Sequence, residues 1–292
     1  MFISNKKNIT LFLVIFIILC SLLLTFTYRK PVSANNSENV FSLKNTNNMD
    51  KFMVVAHRSV YFKEPENSMS AIKGSINHKI QYVEIDVQET KDGKVVLMHD
   101  KNLRRLTGFN GTVDELNYSK IENLHLRSHF ASGFIDEKIP TLDSVIKTSK
   151  NKMHLIIEIK PYAKTYKLTE NVVNIIEKNG IVNKCMVHSL SYRILLNVRK
   201  LNPNIATGYI ATSPRKNFSS MDVNFFSIEQ NLLTPKLIAA IHKSHRKIYA
   251  WTVDSPYSMK NIISLHVDGI ITDYPQVLIN VLRKNSEQVH KI

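Results

Sequence analysis

Glu84 and Asp86 stand two residues apart in the apolar run YVEIDV, and Glu158 and Lys160 repeat that spacing in HLIIEIK. Side chains at i and i+2 of a strand point to one side. Two carboxylates side by side in a buried strand repel each other and lose hydration, and a divalent cation between them removes both problems. The three carboxylates Glu84, Asp86 and Glu158, with water or substrate oxygens, suit a hard cation, Mg2+ or Ca2+; the triplet offers zinc neither Cys nor His. Other apolar runs also end in reactive groups: MVVA in His57-Arg58, VVLM in His99-Asp100, and GIIT in Asp273. Histidine titrates near neutrality and suits proton transfer, and Arg58 suits gripping a phosphate oxygen. Each pattern alone has an ordinary explanation, such as a solvated edge strand, a structural ion pair or a surface histidine. Their joint order is what points to one site.

Residues placed in this way need strands that end on a common face. Short apolar runs predict strands over 53–56, 82–87, 95–99, 154–159, 185–188, 206–210, 225–228, 247–253 and 269–272. Between them, amphipathic stretches predict helices over 141–148, 168–178, 191–201, 235–243 and 258–265. Such alternation implies a mostly parallel sheet with helices packed outside it. In a parallel α/β barrel the carboxyl ends of all strands open on one face, where the loops build the site. Lys91-Asp92-Gly93 between two apolar runs predicts a hairpin turn. Residues 102–140 break the alternation, with one short helical pattern at 113–124 and no clear strand, and read as an insertion. Loops of that length in a compact domain are usually functional.

The order His57-Arg58, Pro65-Glu66-Asn67, Glu84-x-Asp86, Asp92-Gly93 and His99-Asp100-x-x-Leu103-x-Arg105 resembles the glycerophosphodiester phosphodiesterase family. The likeness continues through Pro140-Thr141-Leu142, Glu158-Ile159-Lys160, Trp251-Thr252-Val253 and DGIITDYP at 268–275, and so spans residues 53–283. It implies a TIM (β/α)8 barrel with a small insertion after the second strand. It also implies one divalent cation, Mg2+ or Ca2+, on Glu84, Asp86 and Glu158, with His57 and His99 as an acid–base pair of unassigned order. Arg58 and Lys160 would meet the phosphate. Glu66 and Asn67 would order the first loop or touch substrate, and Trp251 would wall the alcohol pocket or serve the core. Asp100 and Asp273 would orient their neighbours. His125, His129, His188, His242 and His245 show no partner pattern and read as surface or packing residues. The family has Gly after His-Arg, a residue that permits positive φ, where this chain has Ser59; its Pro-Glu-Asn-Thr reads Pro-Glu-Asn-Ser here. The implied activity is hydrolysis of glycerophosphodiesters to sn-glycerol 3-phosphate and an alcohol. Alternatives are cleavage of lysophospholipids in the manner of a phospholipase D, and non-catalytic binding of anionic glycerol-phosphate polymers.

With 292 residues, 43% of them hydrophobic and 22% charged, the chain has a globular composition and the length for a single barrel. Its net charge of +15 favours anionic partners: a phosphate-bearing substrate, lipid head groups or nucleic acid. The charges are scattered, and no basic helix or aromatic-basic surface motif supports nucleic acid as a partner. Residues 9–27 form an uncharged run, flanked by Lys6-Lys7 and Arg29-Lys30, about long enough to cross a bilayer. Residues 1–30 therefore read as a transmembrane anchor, with a long signal segment as the alternative, and the Asn- and Ser-rich residues 31–50 as a flexible tether to a barrel domain at 51–285. The expected location is a membrane, with the catalytic domain on the extracytoplasmic side, or secretion if the leader is cleaved. Cys20 and Cys185 fall in separate parts of this plan, so no disulfide within the chain is expected.

Overall fold

The structure is a computed structural model that describes residues 52–59, 64–127, 134–162, 164–215 and 218–289. The expected anchor and tether, Cys20 and His129 lie outside the described residues. Among the described residues, no helix is long and apolar enough to cross a membrane.

The strands are β1 (Met53–Ala56), β2 (Tyr82–Glu89), β3 (Val95–Leu97), β4 (His125–Arg127), β5 (Phe134–Lys138), β6 (His154–Ile159), β7 (Cys185–Ser189), β8 (Ala206–Ala211), β9 (Phe225–Glu229), β10 (Lys247–Trp251) and β11 (Gly269–Thr272). Parallel pairing runs β1-β2-β6-β7-β8-β9-β10-β11, and β11 pairs back onto β1, with Met53 opposite Gly269, so the eight strands close into a barrel. These strands read as mostly apolar runs because both faces are covered, by helices outside and by the barrel core inside. The interior is filled by Val55, Ile156, Phe225, Tyr249 and Ile271. Gly208 makes room for one of them: a Cβ there would lie 2.1 Å from the Phe225 ring.

The outer helices bury one stripe each. Helix Thr165–Lys178 turns Leu168, Val172, Val173 and Ile176 inward, at the spacing of one helical face. Ser68, Thr141, Thr234 and Ser255 accept from backbone N–H groups of the first turns that follow them, which fixes where four helices begin.

Three expectations are corrected. The run at 95–99 is not a barrel strand: β3 stops at Leu97 and pairs antiparallel with the overhanging end of β2, Val87 opposite Leu97. The segment after it does contain strands, since β4 and β5 form a separate antiparallel pair. Three and five residues are too few for a period to show, and β4 has a single buried residue, Leu126. The helical pattern at 113–124 is broken into a 3-10 turn, Val113–Glu115, and a short helix, Tyr118–Ile121. This insertion carries its own small core, which includes Met98, Leu103, Leu106, Val113, Ile121 and Leu126.

Candidate active site

Register across the barrel sets the site. Asp86 on β2 lies opposite Glu158 on β6, and Glu158 lies opposite His188 on β7. Register neighbours in a sheet share a face and stand about 4.8 Å apart, and Glu84 joins that face from two residues before Asp86. All four side chains are buried.

The first loop closes over this row. After β1 the chain turns through Arg58 at φ 50° and Ser59 at φ 55°, so the position where the related family has Gly does take a left-handed conformation, carried here by Ser59. The Ser59 hydroxyl donates to the Arg58 carbonyl at 2.6 Å. The turn aims the Arg58 backbone N–H at Glu84 Oε2, 2.8 Å away. Asn67 exchanges two hydrogen bonds with Asp86, its Nδ2 donating to Oδ2 at 2.7 Å and its Oδ1 accepting from the Asp86 N–H at 3.0 Å. Glu66 Oε1 accepts from Arg58 at 2.9 Å and from Arg105 at 2.7 Å, and its Oε2 accepts from Arg105 at 2.8 Å. Glu66 was expected as a possible substrate contact. Both its oxygens accept from arginines, so it braces Arg58.

The expected carboxylate triplet Glu84, Asp86 and Glu158 stands in this buried row, with the Lys160 ammonium between Asp86 and Glu158. Lys160, itself buried, sits 2.7 Å from Asp86 Oδ1. Burial alone would raise the Asp86 carboxyl, but Lys160, His99 and Arg58 outweigh it and hold that carboxyl far below its usual range. Asp86 is thus charge-paired with Lys160 and hydrogen-bonded by Asn67. Among the described residues, Glu84, Glu158 and His188 offer ligand atoms that all lie within 4.8 Å of one another. Lys160 also stands 2.7 Å from Glu158 Oε1, an ion-pair contact without hydrogen-bond geometry. Burial pushes the Glu158 carboxyl up to about 7, against the pull of Lys160.

His188 is the residue that sequence reasoning passed over as a packing histidine. Its signal was present: it closes an apolar run at the carboxyl end of a strand, as His57 does. Its Nδ1 lies 3.1 Å from Ser227 Oγ, and its Nε2 lies 3.5 Å from Glu84 Oε1.

Each of the two expected acid–base histidines has a carboxylate behind it. His57 Nδ1 is 2.7 Å from Asp273 Oδ1, and His99 Nδ1 is 2.8 Å from Asp100 Oδ1. Asp100 is gripped in turn by Arg105, at 2.5 and 3.0 Å. His99 does not come from a parallel strand end. The β2–β3 hairpin overshoots the barrel and returns, and the Met98 N–H donates to the Asp86 carbonyl at 3.0 Å, which sets His99 back at the barrel mouth. The two rings are shifted in opposite directions. Burial disfavours the charged form of both. At His57 the Asp273 hydrogen bond and the Glu84 charge override burial and raise the pKa. At His99 burial prevails, helped by Lys160 and Arg58, and lowers it.

Both histidines line a cavity of about 70 Å³ with Arg58, Glu84, Glu158 and Lys160, room for a few water-sized groups. Its other wall is apolar, made by Trp251, Leu190, Ile210 and Ile271. Trp251 therefore stands where a pocket wall was expected, with its Nε1 donating to the Ser227 carbonyl at 3.1 Å.

A sequence profile of the Glycerophosphoryl diester phosphodiesterase family matches residues 57–277. The chain is 32% identical over 245 residues to a glycerophosphodiester phosphodiesterase of Caldanaerobacter subterraneus subsp. tengcongensis, a span of 80% of this chain and 99% of that protein. It is 28% identical over 247 residues to a glycerophosphodiester phosphodiesterase of Bacillus altitudinis, covering 78% of this chain and 97% of that one. In fold it is similar to a phosphodiesterase of Oleispira antarctica solved in complex with the product sn-glycerol-3-phosphate, with a TM-score of 0.73 and 23% identity over 79% of this chain and 96% of that one.

Proposed function

The chain belongs to the glycerophosphoryl diester phosphodiesterase family, and from that premise we propose that it hydrolyses glycerophosphodiesters to sn-glycerol 3-phosphate and an alcohol, with His57 and His99 moving the protons. The observation that carries this reading is the pair of carboxylate-backed histidines, shifted in opposite directions, that line one cavity with two cations.

A phosphodiester anion repels an attacking oxygen, so its charge must be offset first. Arg58 and Lys160 line the cavity and supply two positive charges there. His99, shifted toward its neutral form, accepts the proton of the attacking hydroxyl, from water directly or from the glycerol moiety; the latter gives a cyclic phosphate that water opens in a second step with the two histidines exchanging roles. His57, held protonated, gives a proton to the departing alcohol oxygen. Asp100 and Asp273 engage the Nδ1 atoms and leave each Nε2 for substrate.

The donor set fits a divalent cation, because His188 Nε2 is buried with no hydrogen-bond partner beside the Glu84 and Glu158 carboxylates. Glu84 and Glu158 are the carboxylates that would hold it. Bound there, a divalent cation supplies a charge that polarises a phosphoryl oxygen. Asp86 serves this site by fixing Lys160.

The apolar wall favours a second substrate, a lysophospholipid, because Leu190 is 38% exposed beside Trp251. The N-terminal run at 9–27 is read as an anchor that keeps the barrel at a membrane, on its extracytoplasmic side; its length and lack of charge support this.

The test uses full-length protein treated with a chelator and offered glycerophosphocholine or lysophosphatidylcholine. Release of sn-glycerol 3-phosphate from the former should vanish and return with added divalent cation. Release that survives chelation unchanged contradicts the cation assignment, and choline freed from lysophosphatidylcholine alone, with lysophosphatidic acid as the other product, moves the assignment to the second substrate.

A further inference from the structure

We propose that His188 is a cation ligand, a nitrogen donor that completes the Glu84–Glu158 pair and tilts the site from Mg2+ and Ca2+ toward borderline cations such as Mn2+, Co2+ and Zn2+. This rests on the cation site of the function proposed above and names a residue and a selectivity that the three-carboxylate reading does not contain.

His188 is 3% exposed, and its Nε2 has no hydrogen-bond partner. A buried polar atom left unpartnered is costly, and native structures rarely leave one without a task. The other ring nitrogen is engaged: Nδ1 lies 3.1 Å from Ser227 Oγ. With Nδ1–H donating to that hydroxyl, the Nε2 lone pair faces the two carboxylates. Ligating histidines are oriented in this way, by a second partner on the far nitrogen. Register puts His188 beside Glu158 on the neighbouring strand. The separations also suit shared coordination. Bonds of about 2.1 Å place two ligand atoms roughly 3.0 Å apart at a right angle and about 3.4 Å apart at a tetrahedral angle. Nε2 and Glu84 Oε1 are 3.5 Å apart, and all three ligand atoms fall within 4.8 Å.

The bland alternative is a packing histidine beside the Phe225 ring, 6.3 Å away. That contact accounts for the ring faces and leaves Nε2 unexplained. An imidazole ligand among carboxylates favours Mn2+, Co2+ and Zn2+ over Mg2+ and Ca2+, which prefer oxygen throughout.

The deciding experiment is pulsed electron paramagnetic resonance on full-length protein loaded with Mn2+, joined to calorimetric titrations of Mn2+, Zn2+, Mg2+ and Ca2+. Wild-type protein should show coupling to an imidazole nitrogen, absent from His188→Gln. That variant should bind Mn2+ at least about tenfold more weakly, with Mg2+ affinity changed less. The wild-type spectrum needs no variant, so a His188→Gln that folds poorly leaves the test intact. Mn2+ bound without nitrogen coupling, or coupling that persists in His188→Gln, overturns the His188 assignment alone. Wild-type protein that binds no divalent cation overturns it together with the cation site itself.

Discussion

At His57 and His99 one kind of side chain is shifted in opposite directions by what surrounds it, which is what the proposed acid and base roles require. Burial pushes both toward the neutral form; Asp273 and Glu84 reverse that at His57, and Lys160 and Arg58 reinforce it at His99. A general acid must be protonated, so activity through His57 is lost as pH rises through its raised pKa. A general base must be neutral, so activity through His99 is lost as pH falls through its lowered one. Asp273→Asn removes a group that raises His57, and it should move the alkaline limb of the pH–rate profile to lower pH, with kcat/KM down about tenfold to hundredfold. Asp100→Asn removes a group that raises His99 and should move the acid limb to lower pH instead. Profiles in which both variants shift the same limb would break the assignment. Much at this scale was legible in the sequence, because Asp100 and Asp273 stand beside strand-end histidines or at a strand end of their own. His188 was not. Its partners Glu158 and Ser227 are far off in the chain, and only sheet register brings them together.

The elements explain which parts of the site were readable. Eight barrel strands announce themselves as short apolar runs because both their faces are buried, and the helices between them show clear one-sided stripes. The β2–β3 excursion obeys no such period. Its Asp-Gly turn was readable, with Gly93 at φ 87° as that turn requires, but its return to the barrel mouth was not. The backbone bond from Met98 to Asp86 decides where His99 lands, and that bond leaves no mark on residue type. Ser59 is a related case, since a left-handed φ usually advertises itself through Gly and here is held by a hydroxyl-bearing residue. Packing inside the barrel carries its own expectation. Gly208 sits opposite both His188 and Phe225 in the sheet. Gly208→Ala drives a Cβ into the Phe225 ring and should cost about 1–3 kcal/mol in a urea melt. A melt indistinguishable from wild type would show that the ring moves aside freely.

For the whole molecule, the net charge of +15 and the uncharged run at 9–27 are what the proposed anchor beside an anionic lipid surface rests on. If that run spans a bilayer, two lysines in its middle should release the protein, because each costs about 2.5–3.5 kcal/mol at the centre of a membrane helix. Full-length protein should stay with carbonate-washed membranes, and the double variant Leu13→Lys, Ile18→Lys should appear in the soluble fraction. Wild-type protein that is itself soluble would end the anchor assignment while leaving the barrel chemistry untouched. That chemistry is tested most directly by the rate of sn-glycerol 3-phosphate release from glycerophosphocholine, measured for wild type, His57→Ala and His99→Ala after circular dichroism shows all three folded. Each single substitution should lower kcat at least about a hundredfold. Wild-type rates in either variant would contradict proton transfer by that histidine, and with it the account of how this barrel cleaves a phosphodiester.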